Sequence, residues 1–225
     1  MADRTCGEGT TIIETSTVGP ADMRSAADVC AEYRMSIIDS AVLAGVEQMV
    51  AGRATLLLGG DEEIISEVLP ILEGFSAKQI SLGELGSGMA AKLVNNAVAH
   101  ALMSVLVEAG ALATAAGLST DDLLRLLTDE EMGIHRPLRA RYATRVRQRD
   151  YRGGMPISAA RKDSELVLQL AQTHKVPLFA IQAAQSVFDM AEASGLGGLD
   201  YSSIAQLWER WGVPAADDAA PRNEP

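Results

Sequence analysis

The chain has 225 residues, of which 48% are hydrophobic and 22% are charged, a balance typical of a globular protein with a packed core. Its formal net charge is −11, which argues against a general binder of nucleic acids or of anionic membranes. Two cysteines, Cys6 and Cys30, are too few for a disulfide framework. No stretch is expected to be apolar enough for a signal peptide or a membrane span, and a cytoplasmic location is expected.

The first eighty residues alternate between the strand period and the helix period. Buried strands are predicted at 10–17, 36–42, 54–58 and 78–82. Between them, Pro20 opens a helical pattern, and Asp61 is placed to cap a helix that runs to about Phe75. Strands that alternate with helices predict a sheet with helices packed on it.

The remainder of the chain is predicted to be helical. Residues 87–116 contain no proline and one interior glycine, Gly110, so a single helix of about 30 residues is predicted. Further helices are predicted at 120–127, 157–174, between Pro177 and Gly195, and at 201–211. The predicted domains are 1–85 for the α/β part, 86–212 for the helical part and 213–225 for a disordered tail.

A glycine-rich turn opens the long predicted helix. The segment Gly86–Ala91 matches the pattern G-x-G-x-x-A, and Glu108 lies about twenty residues later. A dinucleotide fingerprint requires a short helix that leads to a second strand with the acidic residue at its end. Because Glu108 falls inside the long helix, we interpret the glycines as residues that let the helix and a strand pack closely.

The same helix carries a lysine in an otherwise apolar stretch. Lys92 and Asn96 are four residues apart, so an ammonium and a carboxamide project from one side of the helix. Such a pair can bind an oxyanion and transfer a proton, because a desolvated lysine can serve as a general acid or base. The alternative is a lysine that extends its head group into solvent.

Five segments in chain order carry a specific resemblance. They are Gly9–Pro20, Asp39–Val46, Leu58–Asp61, Gly86–Asn96 and Lys162-Asp163. Together they resemble the β-hydroxyacid dehydrogenase family, whose members include 3-hydroxyisobutyrate dehydrogenase and tartronate semialdehyde reductase. The resemblance runs from about Gly9 to Trp211. It implies an α/β plus all-α fold, in which a partial Rossmann-like NAD(P)-binding domain precedes a long helix and a helical C-terminal domain.

The resemblance also implies roles for individual residues. Lys92 matches the catalytic lysine, which exchanges a proton with the substrate while hydride passes to or from the nicotinamide of NAD or NADP. Asn96 matches the neighbouring substrate-binding asparagine. Thr17 matches a residue that contacts the cofactor near its nicotinamide half, and Lys162 a lysine that reaches the cofactor from the helical domain. The alternative for Lys162 is an ordinary surface lysine, and no metal site is expected.

The turn Leu43-Ala44-Gly45 departs from the family pattern. The family usually has Ser-Gly-Gly here, and that serine helps to hold the substrate carboxylate. Leu43, Ala44 and Gly45 remain candidate substrate-binding residues, because backbone N–H groups at this turn can bind a carboxylate. The lost hydroxyl indicates a less polar substrate or weaker activity.

The second departure concerns the start of the chain. The family begins with a β–α–β unit whose G-x-G-x-x-G turn holds the cofactor pyrophosphate, and nothing before Gly9 matches it. We therefore expect a truncated or split member with an exposed strand edge. Three hypotheses follow: an oxidoreductase that interconverts a small β-hydroxyacid and its semialdehyde; a non-catalytic remnant or binding subunit; and an imine reductase. A homodimer or homo-oligomer formed through the helical domain is expected. Lys92 argues against the third, because imine reductases usually replace the catalytic lysine.

A basic run is the remaining sequence feature. Its arginines, opposed only by Asp150, are Arg136, Arg139, Arg141, Arg145, Arg147, Arg149 and Arg152. We interpret it as a solvated helix face that balances an acidic protein or contacts a second subunit. The alternative is a surface that approaches an anionic substrate or a cofactor phosphate.

Overall fold

The computed structural model describes residues 7–215, and the chain divides into two compact units, Met1–His100 and Ala101–Pro225. The first unit contains the α/β part of the chain. Its strands are β1 (Thr11–Glu14), β2 (Ser36–Leu43), β3 (Ala54–Gly59) and β4 (Ser76–Ser81). Its helices are α1 (Pro20–Glu32), α2 (Val46–Val50) and α3 (Glu62–Glu73), followed by α4 (Ser87–Ala115), which continues into the second unit.

The four strands form one sheet in the order β1-β2-β3-β4. The outer pairs are parallel, whereas β2 and β3 are antiparallel. The connection over residues 44–53 explains this reversal, because a parallel crossover needs a dozen or more residues. The core of one face contains Ile38, Leu56, Leu58, Ile65, Val68 and Leu72, and that of the other contains Met23, Ala41, Leu57 and Met89. Helices thus cover both faces, which confirms the predicted α/β fold.

Local signals position the helices of this unit. The Asp61 side chain accepts hydrogen bonds from the backbone N–H groups of Glu63, at 2.9 Å, and Ile64, at 3.4 Å, which confirms the predicted cap of α3. α1 begins at Pro20 as predicted. β1 ends three residues earlier than predicted, because the Glu14 carboxylate accepts the Ser16 N–H at 2.6 Å and turns the chain.

The second unit is helical, as predicted. After α4 it contains α5 (Thr120–Thr128), a π helix (Pro137–Val146) here called the wide-turn helix, α6 (Ile157–His174), α7 (Ala180–Ala193), a 3-10 turn (Tyr201–Ile204) and α8 (Ala205–Arg210). The wide-turn helix was not anticipated from the sequence. Of the predicted disordered tail, 213–215 are irregular and 216–225 lie outside the described residues.

Glu108 joins α4 to α7. Its carboxylate accepts the backbone N–H groups of Phe179, Ala180 and Ile181 at 2.7, 2.8 and 3.0 Å. It therefore caps α7 from another helix and satisfies donors that the helix itself leaves unpaired. These N–H groups, that of Ala180 first, lower the pKa of Glu108 from its ordinary value of 4.5.

This cap makes a pH-dependent contribution to stability. Because the folded pKa of Glu108 is depressed, the contribution is present above pH 4.5 and is lost as the pH falls through the lower, folded value. Glu108→Gln should therefore lower the urea midpoint at neutral pH, and its difference from the wild type should shrink as the pH is lowered from about 7 to about 3. Circular dichroism of the helices against urea concentration gives the midpoints of the two proteins at each pH. A difference between these midpoints that stays constant with pH would contradict the role of Glu108 as a charged cap.

The surface of α4 is unusually apolar. Within residues 7–215, α4 is the one helix long and apolar enough to cross a membrane by length and composition, so the expectation that no stretch meets these criteria is wrong. Lys92 and Glu108 are the only Lys, Arg, Asp or Glu residues among its 29 positions, and few positions of its most apolar stretch are buried. Exposed fractions of 40–65% are found at Leu93, Val94, Val98, Met103 and Val107. α4 therefore presents apolar side chains to solvent on more than one side.

Candidate active site

The entry to α4 is fixed by a buried carboxylate. Asp39, on β2, is fully buried and accepts hydrogen bonds from the backbone N–H groups of Gly86, at 2.6 Å, and Met89, at 2.8 Å. A negative charge at a helix N-terminus is favourable because the helix dipole is positive there. Asp39 therefore anchors the first turn of α4 to the sheet.

The glycines at this entry allow the helix and the sheet to approach. A Cβ atom at Gly88 would overlap the carbonyl oxygen of Leu57 on β3, and one at Gly59 would lie 2.5 Å from Oδ1 of Asp39. Gly86 has φ +94°, a left-handed conformation that favours glycine. The interpretation of these glycines as close-packing residues is confirmed. The N–H groups of Gly86 and Met89 are not open to a phosphate, because both already donate to the Asp39 carboxylate.

Lys92 follows one turn after this anchor. Met89 is fully buried, whereas Lys92 and Asn96 are half-buried and Asn95 is exposed. Within residues 7–215, no carboxylate lies within 4.0 Å of the Lys92 ammonium. The four-residue spacing in a regular helix places Lys92 and Asn96 on one side of α4. An ammonium and a carboxamide are thus available to one small polar molecule.

The turn after β1 exposes a hydroxyl group. Ser16 donates its N–H to Glu14, and the Ser16 hydroxyl and amide together lower the pKa of that carboxyl group. Thr17 is exposed, and its hydroxyl makes no hydrogen bond within the described part of the chain. The turn precedes α1 by three residues, at the carboxyl end of a parallel strand, where α/β sheets usually bind ligands.

The turn after β2 is closed in part by its own side chains. Leu43 packs with the cluster that contains Met89, so its side chain is engaged in the core of the first unit. The N–H of Gly45 donates to Oε1 of Gln48 at 2.8 Å. Leu43, Ala44 and Gly45 are half-buried. The backbone donor at Gly45, which the sequence left open for a carboxylate, is therefore already used by Gln48.

Lys162 belongs to the second unit. It lies on α6 with its side chain exposed, and its ammonium is 3.4 Å from Oδ1 of Asp163. This pair forms between neighbours in sequence and leaves the lysine accessible to an anion. The two predicted cofactor contacts, Thr17 and Lys162, are thus both solvent-accessible in their own units.

Part of the basic run is turned inward, contrary to its interpretation as a solvated face. The fully buried Asp200 lies 3.2 Å from Nε of Arg141 and 3.8 Å from Nε of Arg145. Asp150, the expected counter-charge, pairs with Arg152 of the same run at 2.9 Å. The sequence concealed this arrangement because the carboxylate that attracts the two arginines comes more than fifty residues later. Gln48 and Asp39 were also missed as structural partners.

Comparison with known families covers most of the chain. Residues 86–208 match the model described as the NAD-binding domain of NADP-dependent 3-hydroxyisobutyrate dehydrogenase. Residues 3–83 match the model of the NAD binding domain of 6-phosphogluconate dehydrogenase. The two matches meet at the turn that precedes α4.

Individual relatives agree with these models. The chain is 28% identical over 205 residues to 2-(hydroxymethyl)glutarate dehydrogenase from Eubacterium barkeri, covering 91% of this chain and 68% of the relative. It is 29% identical to 3-hydroxyisobutyrate dehydrogenase from Pseudomonas aeruginosa, covering 88% of this chain and 68% of the relative. The chain thus spans about two thirds of the length of these relatives.

Among solved structures, the imine reductase from Myxococcus stipitatus in complex with NADP+ superimposes with a TM-score of 0.79 at 17% identity, covering 89% of this chain and 71% of that one. This likeness establishes the shared fold. The family model that matches more than half of the chain, together with the ordered sequence motifs, establishes the relationship. The chain belongs to the β-hydroxyacid dehydrogenase family.

Proposed function

We propose that the chain is an NAD(P)-dependent oxidoreductase that interconverts a small β-hydroxyacid and its semialdehyde. The observation that carries the proposal is the Lys92 and Asn96 pair on α4, next to the helix entry that Asp39 fixes. The relatives support it, since they are dehydrogenases of 2-(hydroxymethyl)glutarate, L-serine and 3-hydroxyisobutyrate.

The proposed mechanism uses Lys92 as the general acid and base. In the oxidative direction its neutral amine accepts the proton of the substrate hydroxyl, while the carbon-bound hydrogen leaves as hydride. Bound NAD(P)+ supplies the hydride acceptor. In the reductive direction the Lys92 ammonium returns the proton to the carbonyl oxygen. Asn96 orients that oxygen by donating a hydrogen bond from its carboxamide.

Each unit by itself offers a donor to the cofactor. In the first unit the accessible Thr17 hydroxyl, and in the second unit the accessible Lys162 ammonium, would donate a hydrogen bond to one of its polar groups. Residues 7–215 contain no G-x-G-x-x-G turn between a strand and a helix, and Asp39 closes the turn before α4 to phosphate. The pyrophosphate contact therefore has no assigned residue within the described chain.

The Gly45 N–H, which already donates to Gln48 and is not open to a substrate carboxylate, favours a second candidate function, a non-catalytic remnant or binding subunit. Calorimetric titration with NAD+ and NADP+ separates the two. The enzyme predicts saturable heat with at least one nucleotide, and Lys162→Ala should weaken that affinity about tenfold because a charge-assisted hydrogen bond is lost. Lys175→Ala, at the end of the same helix, is the matched control. Absence of heat with both nucleotides would contradict the enzyme.

The substrate turn offers a test of specificity. Leu43→Ser gives up the contact of this half-buried side chain with the cluster that contains Met89 and adds a hydroxyl donor to the turn. It should raise kcat/KM for 3-hydroxyisobutyrate about tenfold, the usual value of a hydrogen bond to a charged group. Leu43→Ala removes the same bulk without adding a donor and is the control. Equal gains in both variants would show that the turn excludes the substrate by size, and no gain in either would contradict its role in binding. Steady-state kinetics measures all three proteins.

The proposal includes a homodimer in the cytoplasm, with α4 covered by a second copy of the chain. The apolar residues exposed on α4 need a partner, and a lipid bilayer is a poor one because Lys92, Asn96 and His100 lie on the same helix. Val98→Glu should convert the dimer to a monomer in size-exclusion chromatography with light scattering, while Val29→Glu on the exposed side of α1 should not. A monomeric wild type, or its recovery with membranes, would overturn this assignment.

A further inference from the structure

We propose that the second unit binds a small monoanion with an aromatic body, such as an arylalkyl carboxylate, in the groove between the wide-turn helix and α8. We call this cavity the aromatic groove. Its volume is about 430 Å³, within the range of about 300–1,000 Å³ usual for small-molecule sites. The inference stands on the second unit alone and goes beyond the proposed redox function.

Rings form much of the groove wall. Tyr142 and Trp208 line it with exposed fractions of 57% and 43%, and the half-buried Tyr201 lines it as well. Val213 and Pro214, which follow α8, also line the groove. Aromatic surface exposed in a concave site favours a flat apolar ligand, because ring contacts add to the burial of apolar area.

The wide-turn helix brings the groove residues together. In an ordinary α-helix, residues three and four apart share a face. Here hydrogen bonds reach five residues back, as from the Arg147 N–H to the Tyr142 carbonyl, so residues four and five apart share a face. The helix residues that line the groove, Pro137, Arg141, Tyr142 and Val146, have this spacing. Helices of this type are rare and often mark functional sites.

The charges beside the groove select for a single negative charge. Arg141, which lines the groove, and Arg145 both pair with one buried carboxylate, that of Asp200. Nε of Arg141 and Oδ2 of Asp200 are 3.2 Å apart, yet neither makes a well-aligned hydrogen bond. Glu209 also lines the groove, and it pairs with Arg149 at 3.9 Å. Arg145 also attracts Asp150, which pairs with Arg152 at 2.9 Å, so three guanidinium groups face two carboxylates. The surplus is one positive charge, which a monoanion would balance.

Direct titration tests this site. Phenylacetate, phenylacetamide and phenethylamine have the same ring with a negative, neutral or positive head group. We expect saturable heat with phenylacetate and at least about tenfold weaker affinity for the other two. The fluorescence of Trp208 and Trp211, whose rings are 5.4 Å apart, should change in parallel, since these are the only two tryptophans in the chain.

Variants locate the binding. Tyr142→Ala, on an exposed wall, should weaken phenylacetate binding about tenfold, and Arg141→Gln should remove the preference for the anion over the amide. Arg139→Ala is the matched control, because it removes the same charge from the same helix but does not line the groove. The inference is overturned by absence of saturable binding to the wild type, by equal affinity for the amide, or by equal losses in Arg139→Ala and Tyr142→Ala. If Arg141→Gln fails to fold, Tyr142→Ala still decides the question.

Discussion

Lys92→Met is expected to lower kcat about 10²- to 10⁴-fold while the affinity for NAD(P) changes by less than about twofold. Methionine preserves the length and the apolar stem of the side chain but cannot exchange a proton. The ammonium has no carboxylate within 4.0 Å among residues 7–215, so its removal leaves no buried charge unpaired. The measurement is single-turnover kinetics together with calorimetric titration of the nucleotide.

The control is Lys78→Met, which removes an exposed lysine from β4 in the same unit and should leave both quantities unchanged. Equal losses of turnover and of nucleotide affinity in Lys92→Met would mean that this lysine binds the cofactor. Unchanged turnover would remove it from the chemistry altogether. Asn96→Ala should raise KM more than it lowers kcat, since its carboxamide orients the substrate in our proposal.

Asp39→Ala is expected to lower the free energy of unfolding of the first unit by about 2–5 kcal/mol, because two buried N–H groups, those of Gly86 and Met89, would lose their acceptor. The lost hydrogen bonds are those that fix the first turn of α4 to the sheet. Urea denaturation followed by circular dichroism measures it, with the slope of the transition showing whether the first unit unfolds separately.

The comparison variant is Asp61→Ala, which removes another capping aspartate, this time at the exposed start of α3. It should cost only about 1 kcal/mol, as helix caps usually do. A cost for Asp39→Ala no larger than for Asp61→Ala would contradict the role of burial. Gly88→Ala should resemble Asp39→Ala, because its added methyl group would meet the Leu57 carbonyl group.

The sequence predicted those features that depend on neighbouring residues. Asp61 was recognised as a cap because it precedes an apolar helical pattern, and α6 was placed at its observed bounds by periodicity. The rejection of Gly86–Ala91 as a phosphate cradle also depended on local information, the length of the helix that follows. The resemblance then identified the family from five short segments that the family models cover.

Features that depend on distant residues were not predictable in this way. The residues next to Asp39 in the sequence do not indicate that its carboxylate accepts the N–H of Gly86, 47 residues later, at the start of a helix. The pairing of Arg141 with Asp200 has the same origin, since a buried carboxylate and its cation are brought together only by the tertiary fold. The wide-turn helix was missed for another reason: its residues share a face at spacings of four and five, whereas α-helices are recognised in a sequence by spacings of three and four.

The arrangement at the start of α4 has a consequence for mutational tolerance. Asp39, Gly86 and Gly88 determine whether this segment folds. Lys92, four residues after Gly88, contacts no acidic side chain among residues 7–215. A saturation library over residues 86–96 sorted for folding should therefore reject almost every replacement of Gly88 yet accept many at Lys92. Sorted for turnover, the same library should become intolerant at both positions. The requirements of folding and those of the chemistry thus fall on different residues within about one helical turn.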